Sequence, residues 1–106
     1  MKRIKRQVPF LKSVLQEAKG HKRQELLQHA NSDQINAVSE IVLNLLKQRL
    51  PVSSETIQRL KPHRHTLRAL GKRCHSIKKR RQIMMQQKGR GLWNGLHHIC
   101  KSVGLY

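Results

Sequence analysis

An all-α fold, a small bundle of four to six short helices, is what this 106-residue sequence predicts, and three observations predict it. Ile35, Val38, Ile41, Val42, Leu45, Leu46 and Leu50 recur at the three- and four-residue spacing of a buried helical stripe. Proline and glycine fall between such runs, at Pro9, Gly20, Pro51, Pro62, Gly71 and Gly89, and keep each element short. The length suits one compact domain and leaves little room for an elaborate enzyme core.

Taken in order, Lys2-Arg3-Ile4-Lys5-Arg6 reads as a charge run. Pro9 offers a first-turn proline for a helix carrying Phe10, Leu11, Val14, Leu15 and Ala18, which Gly20 ends. Glu25, Leu26, Leu27 and Ala30 suggest a second helix in a hairpin with the first, and Asn31-Ser32-Asp33 supplies cap chemistry for the next. That next element, the apolar scaffold helix, spans 33–50 and stops at Pro51. Ser53 or Ser54 caps a short helix with Ile57 and Leu60 inward, and Pro62 restarts the chain. A helix over 63–70 turns Leu67 and Leu70 inward and closes at Gly71 in the left-handed position. Ser76 caps a helix over 77–87, which with its predecessor forms a helix-turn-helix-like basic pair. Residues 88–91 read as a hinge, and residues 92–106, with Leu92, Leu96, Ile99 and Val103 in register, as an amphipathic C-terminal tail. The domain plan is therefore a helical basic domain over 1–87, a hinge over 88–91 and the tail.

Charge is the strongest functional signal. Lysine and arginine number 23 against 5 acids, for a net charge of +18. Residues 1–55 hold 10 of the cations and all 5 acids, whereas residues 56–106 hold 13 cations and none. Such an excess implies an anionic partner, and the acid-free half is its electrostatic footprint. The residues expected to meet phosphate are Arg59, Lys61, Arg64, Arg68, Lys72, Arg73, Lys78, Lys79, Arg80, Arg81, Lys88 and Arg90. With about eight phosphates engaged, log affinity should fall against log salt with a slope near minus seven. Phe10, Trp93 and Tyr106 are the only aromatics, too few for the stacking platforms of single-strand readers. Gln82, Gln86 and Gln87 could touch base edges, but a solvated helix face explains them as well.

Other chemistries find less support. His63-x-His65, Cys74-His75 and the run His97, His98 and Cys100 match no zinc-ligand spacing, so no metal or cofactor is expected. Glu17, Glu25, Asp33, Glu40 and Glu55 are dispersed and no phosphate-cradling glycine loop occurs, so neither an enzyme nor a small-molecule substrate is expected. Two cysteines favour a reduced intracellular setting, and no apolar stretch is long enough for a signal peptide or a bilayer span. The tail could fold back on the domain, mediate self-association or lie in a membrane interface. A basic RNA-binding or ribosome-associated protein is the other reading that this composition admits.

Asn31-Ser32-Asp33-Gln34-Ile35, Ser39-Glu40-Ile41-Val42-Leu43-Asn44-Leu45-Leu46-Lys47, Leu50-Pro51-Val52-Ser53, His65-Thr66-Leu67-Arg68-Ala69-Leu70, Ser76-Ile77-Lys78-Lys79-Arg80-Arg81 and Gln87-Lys88-Gly89 together resemble small basic proteins of Polinton (Maverick) elements and adintoviruses. Those proteins are likened to adenovirus core protein X. The resemblance spans roughly residues 24–92, with Arg90 where the family tends to have a second glycine. It implies a virion core or genome-condensing role on double-stranded DNA, in the host nucleus and/or the virion, with the basic residues of 59–90 on the duplex.

Overall fold

In the computed structural model, which describes residues 2–72, 75–87 and 89–106, the longest helix is the scaffold expected from the apolar stripe. This helix, α4 (Ser32–Leu46), begins at a reciprocal cap: Gln34 N donates to Asn31 Oδ1 at 2.9 Å, and Asn31 N donates to Gln34 Oε1 at 2.8 Å. Its buried face is Ile35, Ala37, Val38, Ile41 and Val42. The other elements are α1 (Lys2–Arg6), α2 (Val8–Gln16), α3 (Gly20–Gln28), α5 (Ser54–Leu60), a 3-10 turn (Lys61–His63), α6 (Arg64–Gly71), α7 (Ile77–Met85) and α8 (Gly91–Ser102). The all-α class is as expected, but the described residues hold eight α-helices, besides the 3-10 turn, rather than four to six.

α4 ends four residues before Leu50, where the sequence pattern placed its end. Gln48 adopts φ +55, its N–H donates to Leu45 O at 3.0 Å, and Arg49 N donates to Asn44 O at 2.9 Å. These two bonds are the Schellman arrangement, which satisfies carbonyls left open at a helix end. The reason is Pro51: it has no N–H for the helical ladder and disfavours helical backbone at Leu50. The same arrangement closes α8, with Gly104 at φ +76 and Leu105 N bonded to Cys100 O at 2.9 Å.

Two further expectations, at Gly20 and Gly71, are corrected, and one helix is added at the start of the chain. The N-terminal charge run is a helix whose Ile4 is fully buried and which packs on α4. Gly20 opens α3 rather than ending α2, which has already stopped at Gln16 with Glu17 extended. Gly71 is not left-handed but is the last, buried residue of α6. A Cβ there would meet Leu46 Cδ1 at 3.0 Å and Val42 Cγ1 at 3.7 Å, so α6 approaches α4 closely at this glycine, and an added methyl would need a small shift of the Leu46 side chain.

Within residues 92–106 the amphipathic helix folds back on the rest of the chain, one of the uses left open for it. α8 packs on α2 and α5, and Leu92, Trp93, Leu96, Ile99 and Cys100 are all buried. Every α-helix contributes to the single apolar cluster, from Ile4 in α1 to Leu27 in α3, Leu60 in α5, Leu70 in α6 and Met84 in α7. Helices this short are marginal alone, so packing around that cluster holds them.

Two substitutions test these constraints in urea unfolding. At Gly95 an added Cβ would lie 2.8 Å from Leu60 Cγ, so Gly95→Ala is expected to destabilise by about 1–3 kcal/mol, outweighing the ~1 kcal/mol better helix propensity of alanine. Gln48→Gly, at a left-handed position, is expected to stabilise by about 1 kcal/mol.

Candidate nucleic-acid interface

The exposed cations are ordered by the α5–α6 region. Ser53 Oγ caps α5 by accepting from Thr56 N at 3.2 Å, and Pro62 sits in the 3-10 turn that joins α5 to α6. The inward side of α6 is Leu67 and Leu70. Lys61, Arg64 and Arg68 follow one another at spacings of three and four residues and therefore share one side, which is exposed. Lys72 extends the row by another four residues, just past the helix end. None of the four has a carboxylate within 4.0 Å among the described residues. Arg59 is engaged: its Nη2 lies 3.2 Å from Glu55 Oε1 and its Nη1 3.2 Å from His98 Nε2. Both partners of that ion pair are exposed, so it contributes little to stability.

α7 divides its own cations. Ser76 Oγ accepts from Lys79 N at 3.1 Å, and Lys78 and Lys79 stand exposed in the first turn. Arg80 and Arg81, expected beside them on phosphate, turn inward. Arg80 is 7% exposed and donates to Ser39 Oγ at 2.8 Å, and Arg81 donates to Ala30 O at 2.6 Å. Four consecutive helical residues span more than a full turn, so no face could present all four. Arg80 moreover lies three residues after Ile77 and four before Met84, on the core stripe itself. Arg90 is exposed, whereas Arg73 and Lys88 fall outside the described residues. Gln82 and Gln86 are exposed on α7, and Gln87 donates to Ile83 O at 3.0 Å.

Arg23 is a structural cation that the sequence pattern did not single out. It is 4% exposed, donates through Nε to Val14 O at 3.1 Å and through Nη2 to Glu17 O, and its guanidinium lies 5.3 Å from the Trp93 ring centroid. It thereby closes the carbonyl end of α2 and places a cation on an aromatic face. Burial, and then Arg90, lowers its pKa, while Glu17 acts the other way. No contact pattern in the sequence links positions 23 and 93.

The cysteine and histidine cluster at the C-terminus is a packing site. Tyr106 stacks on His97 with ring centroids 5.5 Å apart, and its hydroxyl lies 2.7 Å from His97 Nδ1. Burial pushes the Cys100 thiol up to about 11, so near neutral pH it is protonated and a poor nucleophile. Cys74 lies outside the described residues. Among the described residues no group of three or more His, Cys, Asp or Glu side chains could hold a metal ion, and no helix is long and apolar enough to cross a membrane. No family model, curated protein or solved structure matches this chain.

The His97 site gives a pH prediction. Burial first, then His98 and Lys101, lowers the pKa of His97, so folding favours its neutral ring. The unfolded chain takes up that proton near the ordinary value of about 6.5. The contribution is therefore whole above that pH and is lost as pH falls from there toward the lowered folded value. The thermal midpoint is expected to drop between neutral pH and about pH 5, and less steeply in His97→Gln.

Proposed function

We propose that this chain binds double-stranded DNA without sequence preference and condenses it by charge neutralisation, as a virion core or genome-packaging protein of the host nucleus and/or the virion. The observation that carries this reading is the set of exposed cations Lys61, Arg64, Arg68 and Lys72 along α6, with Lys78 and Lys79 in the first turn of α7, all without a carboxylate nearby among the described residues. From Lys61 to Lys72 such a row runs roughly 17 Å along a helix axis, long enough to follow several phosphates of one duplex.

The aromatic side chains favour backbone contact over base stacking. Trp93 is 1% exposed, and Phe10 and Tyr106 are half-buried against the core, which leaves no Phe, Tyr or Trp ring in the exposed class for an unpaired base. α6 and α7 form the helix-turn-helix-like pair in this reading, with Lys78, Lys79, Gln82 and Gln86 outermost on the second helix. Arg80 and Arg81 serve the fold, and Arg90 is peripheral. The resemblance to basic proteins of Polinton elements agrees with packaging, and the apolar face of α8 is already occupied by the core, which weighs against a membrane or self-association role for that helix.

Six phosphate contacts should give a slope of log affinity against log salt near minus five. Arg64→Ala with Arg68→Ala is expected to make the slope shallower by about two and to weaken binding alike for unrelated duplex sequences. Arg80→Ala should instead lower thermal stability with the slope unchanged. Structured RNA competing as well as duplex DNA at matched salt, or a strong preference for one DNA sequence, would overturn the reading.

A further inference from the structure

Between the C-terminal end of α4, the connection that follows it, and α5 and α6 runs a groove of about 570 Å³. Leu46, Leu50, Val52 and Ile57 line it, with Leu60 and Leu67 beneath. Leu46 is 41% and Ile57 51% exposed, and these are the large apolar side chains that the fold leaves to solvent among the described residues. These side chains leave an apolar strip along the groove that apolar side chains of a partner would cover. Lys61, Arg64 and Arg68 stand along the same groove, and no acidic side chain lines it.

Those two properties select the occupant. A phosphate backbone would satisfy the cations and leave Ile57 and Leu46 in water. A second copy would bring another +18 chain, and the same three cations, against this rim. We infer that the groove receives an amphipathic helical segment of another protein, its apolar stripe seated on Leu46 and Ile57 and its acidic flanks meeting Lys61, Arg64 and Arg68. Helix-in-groove recognition combines an apolar stripe with flanking charge in this way.

The test is fluorescence anisotropy of the full chain with two labelled peptides of about four helical turns and identical composition. One carries leucines at i, i+3, i+4 and i+7 flanked by glutamates, and the other is scrambled so that no stripe forms. The striped peptide is expected to bind about tenfold more tightly. Ile57→Ser, at an exposed position, should abolish that preference and leave duplex DNA affinity unchanged, whereas Arg64→Ala with Arg68→Ala should weaken both. Equal binding of the two peptides, or an unaltered preference in Ile57→Ser, overturns the inference. So does loss of binding to phosphatidylglycerol vesicles in Ile57→Ser with the peptide preference intact, which assigns the groove to a lipid surface. Concentration-dependent dimerisation abolished by Ile57→Ser would assign it to a second copy and overturn it equally.

Discussion

Five carboxylates among 23 lysines and arginines set the constraint on which this structure depends: an inward-facing cation must find oxygen elsewhere. An ionised group taken from water without hydrogen-bond partners costs far more than a small core can offset. Arg23 meets the constraint with the carbonyls of Val14 and Glu17 and with the face of Trp93, and Arg81 with the carbonyl of Ala30. Arg80 donates to the hydroxyl of Ser39. Each arrangement joins elements distant in sequence: Arg23 ties α3 to the end of α2 and to α8, Arg81 ties α7 to the approach to α4, and Arg80 ties α7 to α4. The scarcity of acids thus directs cations to be either cross-links or surface charge.

The surface charge repels itself, and this shapes how the core must work. α1 to α8 are each too short to persist alone, so their stability comes from the shared apolar cluster. Close approach raises the density of that cluster at Gly71, under Leu46, and at Gly95, against Leu60. Trp93, the largest fully buried side chain, brings α8 into the same centre that Arg23 holds. Screening salt or a polyanion relieves the repulsion, so the ligand proposed for the basic row would also act on the fold.

Local chemistry in the sequence was legible where it acts over three or four residues. Ser76 caps the helix it was expected to cap, and Asn31 and Ser53 do so from among the neighbouring candidates, because a side-chain acceptor two or three residues from an open N–H needs no tertiary help. The α4 stripe was legible for the same reason, up to the point where Pro51 acts backward on its end. What the sequence left open depends on partners far along the chain. The apolar stripe of α8 reads alike whether it covers its own core or another surface, and only α2 and α5 decide which. The basic site was partly legible: Lys61, Arg64 and Arg68 follow helical spacing, whereas Arg80 was expected on phosphate although its spacing from Ile77 and Met84 is that of the core stripe. Arg23 was illegible, since nothing local distinguishes it from Lys22 beside it.

The phosphate row and the apolar groove share Lys61, Arg64 and Arg68. On the two proposals made above, an acidic helix seated in the groove and a duplex on the row draw on the same three charges. Occupation by one therefore weakens the other, and linkage makes that antagonism reciprocal. The antagonism is partial, because Lys72, Lys78 and Lys79 lie outside the groove and Leu46 and Ile57 outside the row. Salt separates the two ligands further. Duplex affinity rests on counterion release and falls steeply as salt rises, whereas the apolar share of helix docking does not. On those two proposals, such a chain would hold DNA most firmly at low salt and exchange it for an acidic protein partner as salt rises.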